Sequence, residues 1–384
     1  MKFPSHEVSD ILTTHWSSIE QSDSFNTWQL RTLNAVKNCR TANMGSHVDA
    51  CTDCGYIRIS YNSCRNRHCP KCQGTQRENW IQAREEELLP VPYLHVVFTL
   101  PDILNRLCLH KAETSYGILF KTAWSVVKSF GNDTKWLGAK TGMISILHTW
   151  GQTMTLHPHL HCIVPGGGIT DNNKWKYCKS KGEFIFPVKA MSIVFRARFI
   201  QALKDELPDM VDEELISQLH KNNWVVYAKR PFKTPNNVIE YLGRYTHKIA
   251  ISNHRIIDIS DDKVTFSYKD YRNSGVKKTM TLDALEFVAR FSLHILPKKF
   301  VRIRHYGILS STSKNKYAVQ IKEQLPKLIH ESQSRPKPQV YNPKVCPCCS
   351  SETMQTILHF RNRPPPEKYC MAWAKMILDL ILIT

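Results

Sequence analysis

The chain has 384 residues, 42% of them hydrophobic, and its 52 Lys and Arg against 33 Asp and Glu give a formal net charge of +19 at pH 7. This hydrophobic content excludes a disordered chain and predicts a globular protein of two or three domains. The positive charge indicates a polyanionic partner such as nucleic acid, with binding that weakens as salt is added. The residues after Met1 do not resemble a signal peptide, and the apolar stretch 376–383 is too short to cross a bilayer. We therefore expect a soluble, cytoplasmic protein with no membrane partner.

The 13 cysteines indicate metal ligation or free thiols, because the cytosol disfavours disulfides. Two CxxC pairs, Cys51 with Cys54 and Cys69 with Cys72, have the spacing of a zinc ribbon. The segment 56–61 between them alternates like a hairpin strand. The sequence therefore predicts a zinc-ribbon-like module in which these four thiolates hold one tetrahedral Zn²⁺.

Further thiols, imidazoles and cations surround the two CxxC pairs. Cys64 and His68 are alternate zinc ligands, and Cys39 leaves open either a second ion or a ligand substitution. Arg65 and Arg67 give the module a basic surface, which predicts contact with DNA phosphates. A solvated charged face is the alternative for the same two residues.

Strand and helix patterns follow this module in chain order. Helices are predicted over 78–89 and 109–130, and strands over 93–100, 143–149, 160–164 and 223–228. We expect 143–149 and 160–164 to pair antiparallel, because the short link between them passes through Gly151. The segment 169–222 is charged and partly helical without a sharp motif, and we interpret it as an insertion. The mixture predicts an α+β fold.

Three histidines on the two paired strands are candidate metal ligands. His159 and His161 alternate along one strand, so both imidazoles point to the same face. The antiparallel neighbour brings His148 close to them as a third ligand. Gln152 and His157 compete for that third position. Two imidazoles on one strand face are costly to bury without a partner, which favours a bound ion.

Two tyrosines four residues apart are candidate nucleophiles. A helix is predicted to begin at Thr234 and Pro235, and on it Tyr241 and Tyr245 share one face. The same spacing is typical of an ordinary buried helix face, so the pattern alone also fits core tyrosines. Arg244 and Lys248 flank the pair, suited to phosphate oxygens or to solvent.

Together these motifs resemble the HUH endonuclease superfamily, specifically the rolling-circle insertion-sequence transposases of the IS91 family. The likeness covers most of the chain. It is carried by segments 63–72, 98–100, 148–150, 157–161 and 241–247, which read SCRNRHCPKC, FTL, HTW, HPHLH and YLGRYTH. The resemblance implies the HUH nuclease fold, a central antiparallel sheet flanked by helices. It also implies that His159 and His161 bind Mg²⁺ or Mn²⁺, that His148 is the third ligand, and that Tyr241 and Tyr245 are the nucleophiles.

The implied activity is DNA transposition. Single-stranded DNA at the element ends is cleaved and rejoined through a 5′-phosphotyrosine, without a nucleotide cofactor. Two alternatives stay open: a plasmid or phage rolling-circle replication initiator, which shares the histidines and tyrosines, and a non-catalytic zinc-ribbon DNA-binding regulator. A metal-dependent hydrolase is least favoured, because no carboxylate lies close to the histidines in sequence.

The predicted domains are an N-terminal helical and zinc-binding domain (1–89), a catalytic domain (90–310) and a basic C-terminal tail (311–384). The tail contains Cys346-Pro-Cys-Cys349, which resembles a C-terminal CxxC of the family, but Ser350 follows where glycine is common. No second knuckle follows it, so the sequence does not predict a C-terminal zinc site. The stretch from about 298 to 344, which includes Arg302, is basic, and DNA contact and a solvated surface are equal alternatives for it.

Overall fold

The computed structural model describes residues 4–73, 88–179, 186–221, 224–232, 238, 249–325 and 342–361. The predicted helix over 78–89 lies outside these residues, apart from its last two positions. Within them, nine α-helices are described: α1 Val8–Thr14, α2 Trp16–Glu20, α3 Thr27–Lys37, α4 Asn105–His110, α5 Ala112–Asn132, α6 Val188–Glu206, α7 Glu213–Lys221, α8 Ala284–Ser292 and α9 Ser311–Gln324. None of these helices is long and apolar enough to cross a membrane.

The strands of the described residues form four sheets. The strands are β1 Ser46–Cys51, β2 Ile57–Tyr61, β3 Tyr93–Thr99, β4 Gly142–Trp150, β5 Leu156–Pro165, β6 Gly167–Ile169, β7 Trp175–Tyr177, β8 Val226–Phe232, β9 Ile256–Ser260, β10 Lys263–Asp270, β11 Val276–Asp283, β12 Ile303–Gly307 and β13 Met354–Phe360. The central sheet has the order β12-β4-β5-β3-β8, and the smaller sheets are β13-β1-β2, β11-β10-β9 and β6-β7.

All neighbouring strands of the central sheet are antiparallel. The predicted pairing of 143–149 with 160–164 is confirmed as β4 with β5, and it sets His148 opposite His159. On the other side of β5, Val97 of β3 lies opposite His161. Directly opposite residues share a face, so the register collects the histidines on one side of the sheet.

The opposite side of the sheet is covered by two long helices. Phe98 and Leu160 are fully buried there, and the Phe98 ring lies 5.0 Å from that of Phe195 on α6. Helix α5 corresponds to the helix predicted over 109–130, and its apolar residues recur at helical spacing along the face that meets the sheet. The predicted insertion at 169–222 thus contains α6, which packs into the main core.

The histidine side of the sheet carries a second apolar layer away from the histidines. Ile144, Ile146 and Ile163 are buried there with Val238 and with Ile321 of α9. On this face, the end of the strands that carries the isoleucines is therefore apolar and buried, and the other end carries the histidines.

The N-terminal helices share a core with a later part of the chain. Buried residues of α1 and α3 cluster with Phe266 of β10, Phe287 of α8 and the thiols of Cys69 and Cys72. The sheet β13-β1-β2 joins the N-terminal and C-terminal parts of the described chain, because β13 pairs antiparallel with β1. The predicted α+β fold with a central antiparallel sheet flanked by helices is confirmed, whereas the domain boundaries stay a prediction.

Candidate metal centre and zinc-binding module

Three imidazoles converge at the end of the histidine face. One ring nitrogen of each of His148, His159 and His161 lies within 4.8 Å of the others. The Nε2 atoms of His159 and His161 are 3.2 Å apart. His148 and His161 are buried, and His159 is half-buried. The sequence placed these residues together because side chains alternate along β5 and β4 lies beside it.

The hydrogen bonds of the outer ring nitrogens orient the rings so that the Nε2 atoms of His159 and His161 face each other. His159 donates from Nδ1 to the backbone carbonyl of His157 at 2.7 Å, so its neutral ring presents a lone pair at Nε2. His161 Nδ1 lies 2.9 Å from Nε2 of His95. With the proton on His161 Nδ1, this bond fixes the same tautomer in His161.

The separation of the two Nε2 atoms fits a shared divalent ion. With metal–nitrogen bonds of about 2.1 Å, adjacent nitrogens lie about 3.0 Å apart in an octahedral site and about 3.4 Å apart in a tetrahedral one. The observed 3.2 Å lies between these values. The donor set can therefore hold a divalent metal.

Of the three candidates for the third ligand, the structure brings His148 into the cluster. Its ring lies 4.6 Å from that of His161 and stacks on Trp150 at 4.7 Å between centroids. His157 points outward, with Nδ1 3.7 Å from Asp102. The backbone carbonyl and the side-chain oxygen of Gln152 accept hydrogen bonds from Arg255 and from the Lys269 amide.

His95 is a member of this centre that the sequence analysis did not single out. It lies on β3, is buried, and stacks on His161 with 5.1 Å between ring centroids. The alternation of side chains along the predicted strand 93–100 shows which residues share a face with His95. The register of β3 against β5 cannot be read in this way, because the two strands are far apart in sequence.

The predicted nucleophiles Tyr241 and Tyr245 and the predicted DNA contacts Arg244 and Lys248 lie outside the described residues. The described residue nearest to them on the N-terminal side is Val238. It is helical and buried in the apolar layer on the histidine face.

The cysteines form two clusters, which corrects the predicted grouping of the two CxxC pairs around one ion and favours a second ion, one of the two alternatives that the surplus thiols left open. Cys69 and Cys72 lie with Cys39 and Cys64, whereas Cys51 and Cys54 lie with Cys346 and Cys349. The two CxxC pairs therefore do not face each other. The alternate ligand Cys64 belongs to the first cluster, and the C-terminal CxxC has a partner knuckle in Cys51 and Cys54. The sequence indicates two sites only through its number of cysteines, which exceeds the four that one zinc ion needs; the spacing of the cysteines does not show how they are grouped.

The first cluster has the dimensions of a four-thiolate zinc site. Cys72 Sγ lies 3.5 Å from Cys39 Sγ and 3.7 Å from Cys64 Sγ. Zinc–sulfur bonds of about 2.3 Å place the sulfurs of a tetrahedron about 3.8 Å apart. The amide of Asn66 donates to Cys64 Sγ at 3.5 Å, a contact that favours the thiolate. This donor set fits a structural Zn²⁺.

Two residues of this module that were predicted as ligand or DNA contact are internal. The Arg67 guanidinium donates to the backbone carbonyls of Phe300 and Pro297, and burial lowers its pKa. These hydrogen bonds direct the guanidinium into the protein, and the phosphate contact stays a prediction. His68 is buried beside Arg67, burial holds its pKa well below the ordinary value, and it lies outside the group of four thiols that forms the first cluster. Arg65 is exposed, as a DNA contact requires.

Arg302 is also internal, which corrects its assignment to a basic surface. It is buried, and Nε donates to the Leu147 carbonyl at 3.1 Å. Its guanidinium carbon lies 5.2 Å from the ring centroid of Trp150, and burial lowers its pKa to about 9. Arg302 therefore fastens β12 to β4 behind the histidine centre.

Comparisons with known proteins agree with this arrangement. Residues 142–316 match a family model described as "Putative transposase", and residues 11–100 match one described as "Transposase zinc-binding domain". The chain is 39% identical over 378 residues to "Putative transposase y4qJ" of Sinorhizobium fredii, an alignment that covers 91% of this chain and 94% of that protein. It is 24% identical over 331 residues to the "Transposase for insertion sequence element IS801" of Pseudomonas savastanoi pv. phaseolicola, covering 81% of this chain and 77% of that protein. No solved structure matches significantly.

The four comparisons cover both the cysteine-rich start and the strands that hold the histidines. The chain belongs to the IS91 family of insertion-sequence transposases and carries an N-terminal zinc-binding domain.

Proposed function

We propose that this transposase cleaves and rejoins single-stranded DNA at the ends of its insertion sequence through a 5′-phosphotyrosine intermediate. Tyr241 and Tyr245 are the nucleophiles, and His148, His159 and His161 hold Mg²⁺ or Mn²⁺. The observation that carries the proposal is the three-imidazole cluster, whose inner nitrogens are spaced for one divalent ion.

Val238 supports the assignment of the tyrosines. It is buried in the same apolar cluster as Ile144, Ile146 and Ile163, on the sheet face that carries the histidines. In an α-helix, positions i+3 and i+7 lie on the same face as position i. If the predicted helix runs on from Val238, Tyr241 and Tyr245 would share its face and would lie toward the histidine side of the sheet.

The chemistry divides between the tyrosines and the histidines. A tyrosine oxygen attacks the scissile phosphorus, its bond to phosphorus forms, and the bond from phosphorus to the 3′ oxygen breaks. The phenol loses its proton and the departing 3′ oxygen gains one, which leaves a 5′-phosphotyrosine and a free 3′-hydroxyl. A divalent ion at the three histidines supplies charge neutralisation at the phosphate. Attack by a 3′-hydroxyl on the phosphotyrosine rejoins strands without ATP.

The second tyrosine lets the protein hold one cleaved end while the other tyrosine acts on another strand. Arg244 and Lys248, next to the tyrosines in sequence, hold the phosphates near the cleaved bond. Arg65 extends this contact from the zinc-binding module. The net charge of +19 agrees with a long polyanionic substrate.

The test uses the purified full chain and labelled single-stranded DNA from the flanks of its gene. The mixture is incubated with Mn²⁺, Mg²⁺ or EDTA and then separated on a denaturing gel. We expect a metal-dependent, SDS-resistant protein–DNA adduct that disappears when Tyr241→Phe and Tyr245→Phe are combined. Tyr271→Phe is the matched control, because that ring is exposed at 70% and the adduct should persist.

Two results would contradict the proposal. An adduct that persists in the double variant would remove the tyrosines from the mechanism. Retarded migration on a native gel, without any adduct on the denaturing gel, would identify a DNA-binding protein that does not cleave.

A further inference from the structure

We infer that the chain binds two zinc ions, and that the second one joins its C-terminal part to its N-terminal domain. The ligands of this second site are Cys51, Cys54, Cys346 and Cys349, called here the terminal cluster. The first cluster, Cys39, Cys64, Cys69 and Cys72, lies entirely within the matched zinc-binding domain at 11–100. The terminal cluster takes half of its ligands from a segment that neither family model covers.

The sulfur positions of the terminal cluster fit a tetrahedral zinc. Cys51 Sγ lies 3.6 Å from Cys349 Sγ, and Cys54 Sγ lies 3.6 Å from Cys346 Sγ. A four-thiolate zinc requires about 3.8 Å between sulfurs, whereas a disulfide requires about 2.05 Å. All four sulfurs lie within 4.8 Å of one another, so one ion reaches them all.

Two turns of matching geometry supply the four ligands. After Cys54, Gly55 has φ of 71° and its amide donates to the Cys51 carbonyl at 3.1 Å. After Cys349, Ser350 has φ of 62° and its amide donates to the Cys346 carbonyl at 2.9 Å. Serine rarely adopts this left-handed conformation, so its surroundings must enforce it. The serine that departs from the family pattern therefore keeps the backbone that a glycine would have.

Polar groups around the terminal cluster favour thiolates over thiols. The Thr353 hydroxyl lies 3.2 Å from Cys51 Sγ, and the Ser351 hydroxyl lies 2.9 Å from Cys349 Sγ. The Cys348 amide donates to Cys346 Sγ at 3.4 Å. Donors of this kind surround ligand sulfurs in metal sites and orient them.

The sheet that joins the two ends of the chain has a small apolar core, which a metal ion would reinforce. Strand β13 pairs with β1 from Phe360 opposite Ser46 to Met354 opposite Cys51. In the described part of this sheet, the apolar cluster has Val48 as its fully buried member. Small sheets with so little apolar core need a further stabilising interaction such as a bound metal ion. Ligation by residues nearly 300 positions apart would also close a long loop and so lower the entropy of the unfolded chain.

Zinc stoichiometry of the full chain tests the inference. Metal per chain is measured by mass spectrometry of the metal after gel filtration, with the protein quantified by amino-acid analysis. Because the histidine centre can also take zinc, the comparison is between variants: we expect the Cys346→Ser, Cys349→Ser double variant to hold one zinc ion fewer than the natural sequence, which holds at least two. Cys348→Ser is the matched control, since Cys348 lies in the same turn outside the cluster, and it should hold as many as the natural sequence.

A measurement on the unchanged protein covers the case in which the double variant fails to fold. Cadmium-113 replaces zinc, and its NMR spectrum is recorded. Two resonances in the range of four-thiolate coordination support the inference. A single zinc or a single such resonance in the natural sequence would overturn it, as would equal zinc contents in the natural sequence and the double variant.

Discussion

Replacing His95 by Phe should weaken metal binding at the proposed catalytic centre by about 10- to 100-fold. His95 Nε2 lies 2.9 Å from His161 Nδ1, and both rings are buried. Phe keeps the ring that stacks on His161 but removes the hydrogen-bond partner of Nδ1. His161 then either buries an unsatisfied N–H, at about 1–3 kcal/mol, or moves its proton to Nε2, which blocks the ligand atom. Either outcome corresponds to about one to two powers of ten in affinity.

The assay is calorimetric titration of Mn²⁺ into the natural protein and the His95→Phe variant. DNA–protein adduct formation across a range of Mn²⁺ concentrations is measured in parallel. We expect the variant to bind Mn²⁺ more weakly and to recover adduct formation at high Mn²⁺, since His95 is a positioning residue. His110→Phe, at the exposed end of α4, is the control and should behave like the natural sequence. Unchanged Mn²⁺ affinity in the His95 variant would refute the reasoning.

Two further predictions concern stability. His294 donates to the Met154 carbonyl and accepts from Thr149, and burial lowers its pKa to about 4. Because the folded protein favours the neutral form, the contribution of His294 to the free energy of unfolding is complete above about pH 6.5. It falls by up to about 3 kcal/mol as the pH drops to 4. In urea denaturation, the stability of His294→Gln should therefore depend less on pH than that of the natural protein. Gly307 has φ of 59°, and an added Cβ would lie 2.1 Å from the Thr141 carbonyl oxygen. Gly307→Ala should therefore lower the free energy of unfolding by more than about 2 kcal/mol in the same assay.

The two stability predictions can each be refuted. The His294 argument is wrong if the variant and the natural protein lose stability in parallel between pH 6.5 and 4. For Gly307→Ala, the comparison is Gly117→Ala, because a Cβ there meets nothing within 4 Å and the position is helical. That change should leave stability unchanged or slightly raise it. Equal effects of the two substitutions would show that the close approach at Gly307 relaxes without cost.

Local periodicity was enough to predict that His159 and His161 lie on one face of a strand. His159 and His161 share a face because strands have a period of two, and the short link through Gly151 made an antiparallel β4–β5 pair the simplest connection. The strand predicted over 93–100 was found as β3, and the helix over 109–130 as α5. These elements depend on neighbouring residues, which the sequence displays directly.

Contacts between distant segments could not be predicted in the same way. His95 reaches His161 only through the β3–β5 register, and Cys51 reaches Cys349 only through the β1–β13 pairing. Two CxxC pairs within 22 residues look like one zinc ribbon, since spacing carries no information about a third pair almost 300 residues away. The cysteine count was the available sign that one site could not use them all.

Arg67 shows why charge in the sequence does not identify a DNA-binding surface. It lies between the first-cluster ligands Cys64 and Cys69, yet its guanidinium donates to Pro297 and Phe300, immediately before β12. Strand β12 pairs with β4, the strand that carries His148. Arg67 thus links the metal-dependent fold of the zinc-binding domain to the edge of the sheet that holds the histidines. We expect removal of zinc from the first cluster to weaken these two hydrogen bonds, and with them the attachment of the zinc-binding domain to this edge of the sheet.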